Sequence, residues 1–140
     1  MKAKERKKGK RSILEGVPPT IPALLRAFRL GAKAARVGFD WEKVDDVVEK
    51  MSEELHEFAG AVKKNRRKDM VEELGDILFV ICNLARKIHL DPEDALRQAN
   101  EKFIKRFRFV EEKLIEKGKD ATTATLKEME ALWNKSKEIE

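Results

Sequence analysis

Four acidic side chains carry the chemistry this sequence can support: Glu54 and Glu57 in MSEELHEF, and Glu73 and Asp76 in VEELGDILF. Each pair is spaced i, i+3 inside a segment of strong helical periodicity, and residues three apart on a helix are surface neighbours. Each pair is therefore a two-carboxylate claw on one helix face. Two claws on facing helices would bring four negative charges into one pocket. At ~5 Å and an effective dielectric of ~20, each like-charge contact costs on the order of 3 kcal/mol. A cation between the claws offsets that cost, so the pattern is that of a metal site. Oxygen-only ligands suit Mg²⁺, with Mn²⁺ as a substitute, and the two His and single Cys form no zinc-type cluster. A di-iron bundle needs Glu-x-x-His twice. Here Glu53-x-x-His56 occurs once, and the second segment offers Glu73-x-x-Asp76 instead.

The elements that must position these acids read as helices throughout. Thr20 is expected to cap a first helix running to about Arg36, with Leu24, Leu25, Phe28 and Ala32 inward and Gly38 as its stop. Asp40 is expected to cap a second, whose apolar positions Val44, Val47, Val48, Met51, Leu55, Phe58 and Val62 recur in steps of three and four. A third runs from about Lys68 to Ile88, striped by Met70, Leu74, Ile77, Leu78, Ile81 and Ala85. Asp91-Pro92-Glu93-Asp94 starts a fourth, which extends to about Lys117 with Leu96, Ala99, Phe103, Phe107, Val110 and Leu114 inward and Gly118 as its stop. Thr125 with Glu128 forms a capping box for a short last helix containing Leu132 and Trp133. No alternating strand pattern occurs. The fold class is all-α, a helical bundle of about five helices. At about 100° per residue, Glu54 and Glu57 lie on one flank of the second stripe, and Glu73 and Asp76 flank the third. Glu53 and His56 face away.

The fourth helix supplies the opposite charge through Lys102 and Arg106, an i, i+4 pair flanking Phe103. Cations beside a metal–carboxylate cluster suit a polyphosphate. Salt bridges to neighbouring acids are their alternative use. Trp41 and Trp133 could stack on a base or close over the core as lids.

Composition sets the frame around this site. A chain of 140 residues is the size of one domain, and 41% charged with 41% apolar residues suits long amphipathic helices. The net charge of +5 is concentrated in residues 1–12, which hold seven Lys or Arg against one Glu, so the rest is close to neutral. Residues 1–19 read as a basic flexible tail or linker ending in GVPPT, where successive prolines forbid a helix interior. Residues 20–140 form the domain. The tail could touch nucleic acid or an anionic membrane, but its composition is that of a solvated, disordered terminus, so nucleic acid is not the expected partner. No apolar run approaches the ~20 residues of a membrane span, and no apolar segment follows the first lysines as in a secretory signal. The lone Cys82, in FVICNLA, excludes an intramolecular disulfide and fits a reducing compartment. A cytoplasmic location is expected.

The segments VGFDW (37–41), EELHE (53–57), EELGDILF (72–79), NLAR (83–86) and NEKFIKRF (100–107) together resemble the MazG family of nucleoside triphosphate pyrophosphohydrolases. The family pattern is Glu-Glu-x-x-Glu, a variable spacer, then Glu-x-x-Asp, and the similarity runs collinearly from about Val17 to Trp133. Many members carry two such domains in tandem. This chain resembles the second, C-terminal one, with residues 1–19 like the interdomain linker. The resemblance implies an all-α fold completed by dimerisation, Mg²⁺ held by four acids, and cleavage of an NTP or dNTP to the monophosphate and pyrophosphate. Nucleotide-pool house-cleaning is the family-level role. By matching positions, Glu54, Glu57, Glu73 and Asp76 are the metal ligands and catalytic acids, with Glu53 a supporting acid. Lys102 and Arg106 are phosphate contacts, and Trp133 lies near the nucleotide. The alternative readings are a non-catalytic nucleic-acid-binding module that uses the basic tail, which leaves the four acids unexplained, and a helical interaction bundle indifferent to Mg²⁺ and nucleotides.

Overall fold

A computed structural model describes residues 12–140. The strongly basic stretch expected to form a tail therefore lies, up to residue 11, outside the described residues. Among the described residues the structure is all-α: a 3-10 turn at Ile13–Gly16 and five α-helices, with no strand. The helices are α1 (Ala23–Arg36), α2 (Val44–Lys63), α3 (Arg67–Lys87), α4 (Pro92–Glu116) and α5 (Leu126–Glu138). They divide into two compact units, one running to Glu93 and the other spanning Asp94–Glu140.

In the first unit α2 and α3 form a helical hairpin and α1 packs on α3. The hairpin turn is tight because Asn65 takes a left-handed conformation (φ 53°), which asparagine tolerates better than most side chains. Arg66 N–H then donates to the Ala61 carbonyl at 3.1 Å and closes the turn. The contact of α1 with α3 runs through Gly31, which is buried. A Cβ there would stand 2.5 Å from Asn83 Oδ1 and 3.2 Å from Arg86 Nε, so any larger residue must displace these two side chains of α3. Residues 12–19 were expected to belong to the tail, yet the 3-10 turn packs on α1 and Val17 is buried.

Two expected caps are not used. The first helix begins at Ala23 with Pro22 at the cap position and no side-chain cap, not at Thr20. Ile21 precedes a proline, which disfavours helical geometry at that residue, so the helix cannot start behind it. Asp40 does not cap α2, whose cap position is Lys43. Instead Asp40 accepts from Arg86 through both oxygens, Nη1 to Oδ2 and Nη2 to Oδ1, and Lys87 Nζ lies 3.4 Å from Oδ2. The Lys87 ammonium also donates to the Trp41 carbonyl, so the end of α3 clasps the loop that precedes α2. The Arg86 hydrogen bonds are the main reason the Asp40 carboxyl is held at about 2, with the Trp41 amide and the Lys87 charge adding to them.

The second unit is the helix pair α4 and α5. Asp91 accepts from the Glu93 amide ahead of α4, and Gly118 (φ 72°) supplies the left-handed residue behind it. The Thr125–Glu128 capping box starts α5 as expected, with both reciprocal bonds made. Val110, Leu114 and Leu132 form the buried core of this unit, covered by Met129, Ala124 and Trp133.

Both faces of the α2–α3 hairpin carry apolar residues, and one chain does not cover them all. Val47, Ala61, Ile77, Val80 and Cys82 are buried. Leu55, Leu74 and Leu78, all on the expected apolar stripes, remain 57%, 46% and 44% exposed.

Candidate metal centre

The centre is built where α2 faces α3. Glu54 and Glu57 come from the third and fourth turns of α2, and Glu73 comes from the second turn of α3. One carboxylate oxygen from each lies within 4.8 Å of those from the other two. Glu54 is 5% exposed, Glu73 is half-buried and Glu57 is exposed, so the cluster opens outward along Glu57. Asp76, three residues beyond Glu73 and so about 60° round the helix, is exposed and stands outside this group.

The electrostatics of the three acids are unequal. Lys50, one turn before Glu54 on the same helix, donates to Glu54 Oε1 at 2.9 Å and depresses that carboxyl below its ordinary range. Glu73 is pushed up to about 7, chiefly by burial, then by hydrogen bonding of its protonated form to Glu54 and Glu57 and by their charge. Two oxygens, Glu54 Oε2 and Glu73 Oε2, are buried and meet no hydrogen-bond donor. Buried carboxylate oxygens without a donor are costly, and a hard divalent cation is the ligand such a donor set accepts best. The residues present fit Mg²⁺ or Mn²⁺ on that ground.

Glu53 is solvent-facing, as its helical phase requires, but lies 3.8 Å from Lys50 Nζ. It therefore touches the group that holds Glu54. Lys50 itself was not singled out from the sequence, although Lys50-x-x-x-Glu54 is an i, i+4 pair that signals such a bond. A cleft of about 290 Å³ adjoins the cluster, lined by Glu57 and Glu73 with His56, Lys64, Arg66 and Asp69 from around the hairpin turn.

The other candidate residues belong to the second unit. Arg106 makes a two-pronged salt bridge with Glu140, Nε to Oε1 at 2.7 Å and Nη2 to Oε2 at 2.8 Å. Its guanidinium lies 5.7 Å from the centre of the Trp133 ring. Lys102, one turn earlier, is exposed. Trp133 is half-buried against the core of the unit and 5.3 Å from Phe103, so it serves at least partly as a lid. No described helix is long and apolar enough to cross a membrane.

Comparison with known proteins places this geometry. The family model described as the MazG nucleotide pyrophosphohydrolase domain matches residues 38–110, which include all three clustered acids and Asp76. A Thermotoga maritima protein named nucleoside triphosphate pyrophosphohydrolase/pyrophosphatase MazG is 40% identical over 137 residues, covering 98% of this chain and 52% of that protein. An Escherichia coli K12 protein named nucleoside triphosphate pyrophosphohydrolase is 38% identical over 143 residues, covering 100% of this chain and 54% of its own length. The chain thus spans about half the length of these curated relatives. With a family model that covers more than half of it, the chain belongs to the MazG nucleotide pyrophosphohydrolase domain family.

Proposed function

We propose that the protein hydrolyses nucleoside triphosphates, ribo or deoxy, to the monophosphate and pyrophosphate, using a divalent cation held by Glu54, Glu57, Glu73 and Asp76. The observation that carries the reading is the Glu54–Glu57–Glu73 cluster, in which Glu54 Oε2 and Glu73 Oε2 are buried and unpartnered. The chain itself provides Lys50 for Glu54 Oε1 but no cation for those two atoms. When bound, Mg²⁺ or Mn²⁺ supplies charge neutralisation on the triphosphate and polarisation of the phosphoryl group under attack. Lys50 fixes the Glu54 carboxylate in one orientation, and Glu53 steadies Lys50 from the solvent side. Lys102 and Arg106 take phosphate oxygens of the substrate and departing pyrophosphate. Trp133 offers a flat apolar face beside Arg106 for the nucleoside. House-cleaning of the nucleotide pool, in a cytoplasmic setting, is the role that fits this activity.

The test is pyrophosphate release from a panel of NTPs and dNTPs with and without Mg²⁺. Release that depends on the cation is expected. No release from any member at saturating Mg²⁺ would overturn the reading.

The same reading includes a second copy of the chain. Apolar side chains as open as Leu55, Leu74 and Leu78 form more uncovered surface than a monomer normally keeps on two adjacent helices. Packed against their counterparts they complete the bundle as a homodimer. Sedimentation should show a dimer for the unaltered chain and a shift toward monomer for Leu78→Glu, which places a charge on that surface. A monomeric unaltered chain at high protein concentration removes the dimer from the proposal.

A further inference from the structure

We propose that the Glu140 carboxylate occupies the phosphate-binding fork of Arg106 as a built-in competitor, which a polyphosphate must displace in order to bind. The inference rests on the reading of Arg106 as a phosphate contact and adds the regulation of that contact. A guanidinium offers carboxylate and phosphate the same pair of parallel N–H bonds. Glu140 takes both of them, at 2.7 and 2.8 Å. The pairing is well formed, since the Arg106 side chain is 15% and that of Glu140 28% exposed. Lys102 and Lys105 add their positive charge around the same carboxylate. Glu140 is thus paired with Arg106 in a cradle whose positive field two nearby lysines strengthen.

The surroundings suit a larger guest than a carboxylate. Arg106 lies over Trp133, and Phe103, more than half exposed, stands 5.3 Å from Trp133 and stacks on Phe107 at 6.0 Å. A polyanion with several charges satisfies the cradle better than Glu140 does, whereas a monoanionic group gains little by replacing it. Glu140 thus raises the threshold for binding and favours polyphosphates over singly charged competitors. Once displaced, its carboxylate returns to water.

The experiment compares the full chain with Glu140→Gln, Glu140→Asp and Arg106→Ala. The readouts are KM and kcat for NTP hydrolysis, and calorimetric titration with inorganic pyrophosphate. Glu140→Gln keeps the size of the side chain and removes the charge. KM and the pyrophosphate dissociation constant should both fall about fivefold with kcat unchanged, as for loss of a partly exposed ion pair. Glu140→Asp, charged but shorter, should lie between. Arg106→Ala should weaken both. If Glu140→Gln changes neither quantity while Arg106→Ala weakens both, the competitor role is overturned and the phosphate contact stands. A rise in KM for Glu140→Gln also overturns it, since Glu140 then supports Arg106. If Arg106→Ala changes neither quantity, the phosphate contact falls too.

Discussion

Replacing Glu73 by glutamine should abolish turnover and, in the same molecule, make the metal-free protein harder to unfold. Both effects come from one carboxyl. Glu73 is half-buried against Glu54 and Glu57, which is why it holds its proton to about pH 7. Above about pH 7, where that carboxyl is charged, glutamine fills the same space without the charge, so its repulsion with Glu54 and Glu57 disappears. It also removes the most strongly perturbed oxygen donor of the proposed centre. Loss of such a group should lower turnover by roughly 100-fold or more, even at saturating Mg²⁺. Pyrophosphate release and thermal melts in chelator measure the two halves separately. Turnover within about twofold of the unaltered protein excludes Glu73 from the site. A lower melting midpoint in chelator shows instead that its charge is not destabilising.

Without divalent ions, stability should fall as pH rises from about 5 to about 8, and Mg²⁺ should reverse the trend. The unfolded chain releases the Glu73 proton near the ordinary value of 4.5, whereas the folded chain keeps it to about 7. A raised folded pKa contributes stability that is complete below the unfolded value and is lost as pH climbs through the folded one. Asp40 works in the opposite direction and in another window. Its contribution is present above 3.8 and is lost as pH falls through about 2, so it does not mask the effect. Glu54, also depressed, contributes on the alkaline side of its ordinary range. Protons and Mg²⁺ compete for the same oxygens, so the cation should stabilise strongly near pH 8 and weakly near pH 5. At a free concentration ~100 times its dissociation constant, mass action gives about 2.7 kcal/mol. Melting midpoints across this range, in chelator and in Mg²⁺, provide the check. Equal Mg²⁺ gains at both ends would argue that the ion binds elsewhere.

The helices were legible because their signals are local. Gly38, Gly118 and the Thr125–Glu128 box act within a turn of where they stand, and the structure uses them as read. The two missed caps depend on other information. Pro22 overrides Thr20 through the backbone of Ile21, and Asp40 is claimed by Arg86, 46 residues away in sequence. A competing partner at that distance leaves no trace in a local window. For the site, helical phase picked out four acids, and the structure gathers Glu54, Glu57 and Glu73 while leaving Asp76 exposed. Phase says which face a residue occupies, but not whether its side chain closes on its neighbours without an ion to draw it in. The stripes are wider than one chain can bury, and Leu55, Leu74 and Leu78 are half open. An apolar period registers that a face avoids water, without naming what covers it.

The short link at Asn65 between α2 and α3 has a kinetic consequence. All three clustered acids lie on one hairpin, so assembling them requires only a short-range loop closure, whose entropic cost is small. Contacts this near in sequence form early in folding. The acidic cradle can therefore take shape before the distant Asp40–Arg86 clasp does, and a cation reaching a nascent chain would meet a nearly finished binding pocket.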